Sequence, residues 1–180
     1  MNTPDTRPMG TAIRALLVAL TLIAGPMTGS ATAQSHPGFA VDLTAGWVGF
    51  ADDGIVSEGL IGGAARWYVL RRVSIGPEII YIRGGDHSHL VVTGNATWDL
   101  LASTDGRPLR VTPFLVAGGG VFQTRESFPA GRYSSSEGAF TAGGGVRVAA
   151  GNRVTIGIDA RVGWELHVRV SGLVGLRLGR

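Results

Sequence analysis

The chain has 180 residues, no cysteine, no lysine and 29 glycines, with 44% hydrophobic and 16% charged residues. The absence of cysteine excludes a disulfide framework, a thiolate metal site and a cysteine nucleophile, and the length leaves room for one domain. The pI is near 10.2, but the net charge is only +3 and the arginines are scattered, without a basic patch interleaved with aromatics, so no nucleic-acid partner is expected.

The N-terminal segment has the order of an export signal. Arg7 and Arg14 precede an apolar run from Ala15 to Ala24, Gly25-Pro26 breaks it, and Ala31-Thr32-Ala33 supplies the small-x-small pattern that signal peptidase reads. A run of about ten residues rising 1.5 Å each is too short to cross roughly 30 Å of hydrocarbon. Cleavage is therefore expected after Ala33, dividing the chain into a signal peptide, 1–33, and a single domain, 34–180.

Beyond that point the chain alternates. Phe39 to Gly49 carries Asp42 and Thr44 on its polar face, Ile61 to Val69 carries Arg66, and Val73 to Tyr81 carries Glu78. The next segment sets Leu90, Val92, Gly94, Ala96, Trp98 and Leu100 against Val91, Thr93, Asn95, Thr97 and Asp99. Val111 to Val121 and Phe140 to Val148 are glycine-rich. The first leaves its apolar face undecided, and the second puts Arg147 on a polar face. From Val154 the residues Val154, Ile156, Ile158, Ala160, Val162 and Trp164 oppose Thr155, Gly157, Asp159, Arg161 and Gly163. The last segment sets Val168, Val170, Val174, Leu176 and Leu178 against Arg169, Ser171 and Arg177. A period of two with one greasy face is the mark of a strand.

Eight strands of about ten residues have the length a tilted strand needs to cross a bilayer, and an even number brings both ends to one side. A soluble barrel shows the same alternation turned inside out, so the aromatics decide between the two. Trp47, Trp67, Trp98 and Trp164 fall on the apolar face, and with Phe39 and Tyr81 most lie toward strand ends, as an aromatic girdle requires. The opposite face holds Asp42, Glu78, Asp99 and Asp159 together with Arg66, Arg147, Arg161, Arg169 and Arg177. Near balance of sign predicts a paired interior network, and closure of the sheet predicts that Asp42 lies near Arg169 or Arg177 of the last strand. Tight joins are expected at Leu70-Arg71-Arg72, Thr104 to Pro108, Gly151-Asn152-Arg153 and Glu165-Leu166-His167. The longest and most polar loop is expected from Arg125 to Glu137.

Thr112-Pro113-Phe114 leading into Ala117-Gly118-Gly119-Gly120, then Ala142 to Arg147, and the closing Gly172 to Leu178 together resemble the small outer-membrane β-barrel proteins of the OmpA-like transmembrane type. The resemblance spans residues 34–180 and implies an all-β fold: an eight-stranded, antiparallel, up-and-down transmembrane barrel in the Gram-negative outer membrane. Implied partners are outer-membrane lipid, lipopolysaccharide and the barrel-assembly machinery. Family members usually end on an aromatic residue, whereas this chain ends Leu178-Gly179-Arg180.

Few residues suggest chemistry. Asp86-His87-Ser88-His89 offers two imidazoles and a carboxylate to a metal, although a solvated loop is the simpler reading. Its His-Ser-His also resembles lipid A deacylases, outer-membrane enzymes using serine and histidine, but adjacent strand residues face opposite ways. Glu165, His167 and Arg169 form a candidate rim cluster, and Arg132, Tyr133 and Ser134-Ser135-Ser136 a candidate contact loop. The sequence thus reads as a non-enzymatic barrel with a structural or interaction role, with neither cofactor nor metal, and with a narrow pore and a lipid-modifying enzyme as the alternatives. The mature protein is predicted to begin at Gln34. N-terminal sequencing of the membrane-fraction protein checks this, and residues 1–33 found intact there would overturn the export reading.

Overall fold

A computed structural model of the chain describes residues 38–51, 55–85, 87–101, 110–128, 131–164 and 167–178. The expected signal peptide and its cleavage point lie outside the described residues. Eight strands follow in chain order: β1 (Phe39–Ala51), β2 (Ile55–Tyr68), β3 (Val73–Arg83), β4 (His87–Asp99), β5 (Val111–Phe128), β6 (Gly131–Ala149), β7 (Val154–Gly163) and β8 (His167–Leu178). Each pairs antiparallel with the next, and β1 closes on β8 from Phe39↔Leu178 to Phe50↔His167, giving a closed up-and-down barrel.

Alternation assigns the faces. Along β7, Thr155, Asp159 and Arg161 are buried while Ile156, Ile158 and Val162 are more than half exposed. On β8, His167, Arg169, Ser171 and Leu173 point inward and Val168, Val170, Val174 and Leu176 outward. The undecided face of β5 also resolves: Thr112, Phe114, Val116 and Phe122 are buried, and Leu115 and Val121 are exposed. No alternation was visible there because apolar side chains occupy both faces of that strand.

The exterior so formed is a continuous apolar band that includes Leu43, Ile61, Ile79, Leu115, Ile156 and Ile158. Soluble monomers rarely expose contiguous apolar patches beyond a few hundred Å²; hydrocarbon is the solvent that suits this one. At the end where β1 begins and β8 finishes, Phe39, Trp67 and Trp98 face outward, with the Phe39 and Trp67 rings 5.1 Å apart. At the other end stand Trp47, Tyr81, Phe140 and Trp164, the last two with rings 6.0 Å apart.

Several strands run further than alternation indicated. The stretch from Arg125 to Glu137, expected as a loop, is mostly strand, and β5 and β6 pair out to Phe128↔Gly131. Beyond the bilayer both faces of a hairpin meet water, so apolar alternation fades while backbone pairing continues. β2 likewise begins earlier than expected, at Ile55, and β4 at His87. The tight joins near Leu70 and Gly151 are present, with Val69 N donating to Val73 O at 3.0 Å and Ala150 N to Val154 O at 2.9 Å. Gly151 adopts φ 106°, a conformation that side chains disfavour. The expected turn from Thr104 to Pro108 and residues 165–166 lie outside the described residues.

Two features set the room inside. A Cβ at Gly145 would fall on the Ile158 carbonyl and 2.8 Å from the Phe114 ring, and one at Gly118 would strike the Asn95 side chain. Inward glycines are thus the space into which larger inward side chains fit. In β3, Pro77 has no N–H to donate, and the β2–β3 ladder passes from Ala64↔Glu78 to Trp67↔Ile75 without pairs between.

If the Ile158 face meets lipid, Ile158→Arg near mid-strand is expected to cost about 2–4 kcal/mol in vesicles, whereas Leu178→Arg at the rim costs roughly 0–1 kcal/mol. Denaturant unfolding in lipid measures both, and equal midpoints would contradict the membrane orientation.

Candidate functional site

The chemistry-bearing side chains of the spanning region project into the lumen, where they form two connected groups. Nearer the termini, Arg66 grips Asp42 with two bonds, Nε to Oδ2 at 2.5 Å and Nη2 to Oδ1 at 3.0 Å. Arg66 Nη1 donates to the Tyr68 hydroxyl at 2.9 Å, and that hydroxyl donates to Asp99 Oδ2 at 3.3 Å. Arg147 Nη1 reaches Asp99 Oδ1 at 3.0 Å, while its guanidinium lies 3.7 Å over the Phe114 ring. The chain of contacts crosses the barrel from β1 through β2 and β4 to β6 and β5. Bidentate pairing and ring stacking are what a planar guanidinium supplies and an ammonium does not.

The second group lies nearer mid-barrel. Glu78 on β3 accepts from Arg161 Nη1, Arg169 Nη2 and Asn95 Nδ2, each at 2.9 Å. Asp159 accepts from Arg161 Nε at 2.6 Å, from Arg169 Nη2 at 3.4 Å and from the Ser171 hydroxyl. Two carboxylates therefore share two arginines, and all four side chains are less than a tenth exposed. Burying such charges is costly unless each is paired and hydrogen-bonded.

Asp42 makes its ion pair with β2 and not with an arginine of the last strand as expected, although Arg177 of β8 lies opposite Ala40 just as Arg66 does. On β8 its register partner is Gly175, and Arg169 sits opposite Val48, six residues further along β1. Arg66, across from Ala40 on β2, is the diagonal neighbour that reaches it. Arg177 stands apart, half-buried near the end of β8, and joins none of the ion pairs among the described residues. Tyr68, Asn95 and Ser171 complete the hydrogen bonding, yet the sequence did not single them out. Their positions on the inward face of alternating strands were the available signal.

Between these groups is a cavity of about 30 Å³, bordered by Asp42, Arg66, Glu78, Asn95, Arg147 and Arg161. That is space on the order of a single water. Toward the loop end the lumen is filled by Val48, Leu60, Ile80, Ile82 and Phe122, with Phe50, Val91 and Ala139 packed against them. Above this plug β4 carries His87 and His89 inward toward Glu58 of β2. Ser88 takes the other face of β4, so the His-Ser-His motif does not bring serine and histidine together, and Asp86 lies outside the described residues. His167 also points inward, hydrogen-bonded through Nδ1 to the Trp164 carbonyl, and Glu165 is not among the described residues. Tyr133 and Ser134 to Ser136 sit on the β5–β6 hairpin, with Tyr133 exposed.

No family model matches the sequence, and no curated protein matches it. Solved structures do. Neisserial surface protein A superposes with a TM-score of 0.67 at 13% identity, covering 78% of this chain and 97% of its own. The chain has the fold of the small outer-membrane β-barrels. The N-terminal barrel domain of Pseudomonas aeruginosa OprF gives a TM-score of 0.59 at 10% identity over 79% of this chain and 98% of that one. The Yersinia pestis attachment invasion locus protein, Ail, gives 0.52 at 11% identity over 76% and 93%. Identities this low speak to architecture, an eight-stranded transmembrane barrel.

Glu78 anchors two buried arginines, so Glu78→Ala is expected to destabilise the barrel by about 3–5 kcal/mol through the charges it strands. Exchanging charges in Asp42→Arg/Arg66→Asp should recover part of the loss seen in Asp42→Ala. Urea midpoints in vesicles decide it; wild-type midpoints for Glu78→Ala and Asp42→Ala would make the network incidental.

Proposed function

We propose that this protein is an exported outer-membrane barrel, closed to solutes, with a non-enzymatic structural or interaction role. The observation that carries the reading is the filled lumen: two arginine–carboxylate groups below and a plug of aliphatic and aromatic side chains above. Eight strands enclose an interior just wide enough for side chains, and here bulky ones meet across it. The outer-membrane setting is supported by the apolar exterior with aromatics at both ends and by the shared fold of barrels from that membrane. Lipid and lipopolysaccharide would contact the outer face, and the barrel-assembly machinery would insert it.

An interaction role is favoured by the β5–β6 hairpin. Its strands pair with each other out to Phe128↔Gly131, whereas β6 joins β7 only from Thr141↔Gly163. The β6 edge from Gly131 to Phe140 is therefore open on its β7 side among the described residues, and such an edge can accept a strand from a partner.

Purified protein in planar bilayers is expected to give no channel steps under conditions in which a wide porin conducts. Reproducible single-channel steps would replace this reading with a narrow pore.

A further inference from the structure

We propose that Glu58, His87 and His89 form a binding site for one divalent transition-metal cation of the zinc type at the loop-end mouth of the barrel. Period two on β4 sends His87 and His89 to the same inner face, their rings 5.1 Å apart. Glu58 comes from β2, on the far side of β3. His87 Nε2 lies 2.5 Å from Glu58 Oε1, and His89 Nε2 lies 3.9 Å from Glu58 Oε2. One donor atom from each residue falls within 4.8 Å of the others. Tetrahedral zinc with bonds of 2.0–2.1 Å sets its ligands about 3.3 Å apart. Ligation would open the first distance and close the second by under about 1 Å each.

Three independent features point to a cation. Glu58 is 2% exposed at its side chain, and its Oε2 has no hydrogen-bond partner. A buried carboxylate oxygen in that condition, set above the apolar plug of Val48, Leu60, Ile80, Ile82 and Phe122, is one that a cation would satisfy. Next, Gly84 keeps the space open, because a Cβ there would fall on Glu58 Oε1 and on the His87 ring. Finally, His89 is oriented for ligation: it packs on Phe50 and Phe122, and its Nδ1 is 3.1 Å from Thr124 Oγ1. In the tautomer whose Nδ1–H donates to Thr124, Nε2 presents its lone pair toward Glu58, the outer-shell arrangement typical of metal-bound histidine.

The donor set selects the metal class. Two imidazole nitrogens and one carboxylate oxygen suit Zn²⁺ and its neighbours, whereas Mg²⁺ and Ca²⁺ prefer all-oxygen surroundings. His87 is one-third exposed at its side chain, which gives the cation an entry from the loop side and leaves a position for water. A bound cation would tie the outer end of β2 to that of β4 across β3.

Untagged protein folded in detergent micelles should bind one equivalent of Co²⁺ with a visible ligand-field band that Zn²⁺ displaces and Mg²⁺ does not. His87→Ala, His89→Ala and Glu58→Gln should each lower Co²⁺ affinity by more than about 100-fold, beyond the range of outer-shell losses, and Thr124→Val by about 10-fold. His87→Ala alters a partly exposed side chain and keeps the test meaningful if Glu58→Gln folds poorly; circular dichroism confirms the barrel in each. Absence of a band in the wild type would overturn the proposal. So would a band that persists in the His87→Ala/His89→Ala double variant, because the metal would then sit on His36 or His167.

Discussion

Backbone satisfaction is the constraint from which the rest of this structure follows. In hydrocarbon no water is present to pair with a free N–H or C=O, so a sheet that crosses a membrane must close on itself. Here closure falls between β1 and β8. Once eight strands close, the lumen is narrow, and every inward residue is chosen against neighbours on several strands at once. The inward glycines, the arginines and the apolar plug are answers to that geometry. The ladder is interrupted beside Pro77, next to Glu78 and Arg66, whose side chains pair with other strands, Arg66 with Asp42 of β1 and Glu78 with Arg161 of β7.

The lumen divides into layers of different polarity. The Asp42–Arg66–Tyr68–Asp99–Arg147 chain and the Glu78–Asp159–Arg161–Arg169 group hold charge near the start of β1 and mid-barrel, and the apolar layer above them fills the lumen toward the loop end. An arginine can serve such a layer from several directions, since its donors form a fixed planar fork. Arg161 and Arg169 each bridge Glu78 and Asp159, so no single ion pair carries the group. The Glu58–His87–His89 set differs in kind. It sits above the apolar layer, and its carboxylate has imidazoles for neighbours instead of guanidinium groups.

What the sequence determined by itself is whatever depends on a strand's own period. Inward and outward faces of β1, β4, β7 and β8 were legible because alternation is local, and so were the aromatics that flank the apolar band. Strand ends beyond the bilayer were not legible, because water on both faces removes the alternation that marks them; the hairpin from Arg125 to Glu137 is the clearest case. Which inward side chains meet was decided by tertiary structure, since partnership depends on inter-strand register. Arg66 of β2 and Arg177 of β8 both lie opposite Ala40, and it is the Arg66 guanidinium that takes Asp42. Glu58 shows the same limit from the other side: it stands 29 positions before His87, and only the register that sets Gly59 against Arg83 and Arg83 against Ser88 brings the two within hydrogen-bond distance.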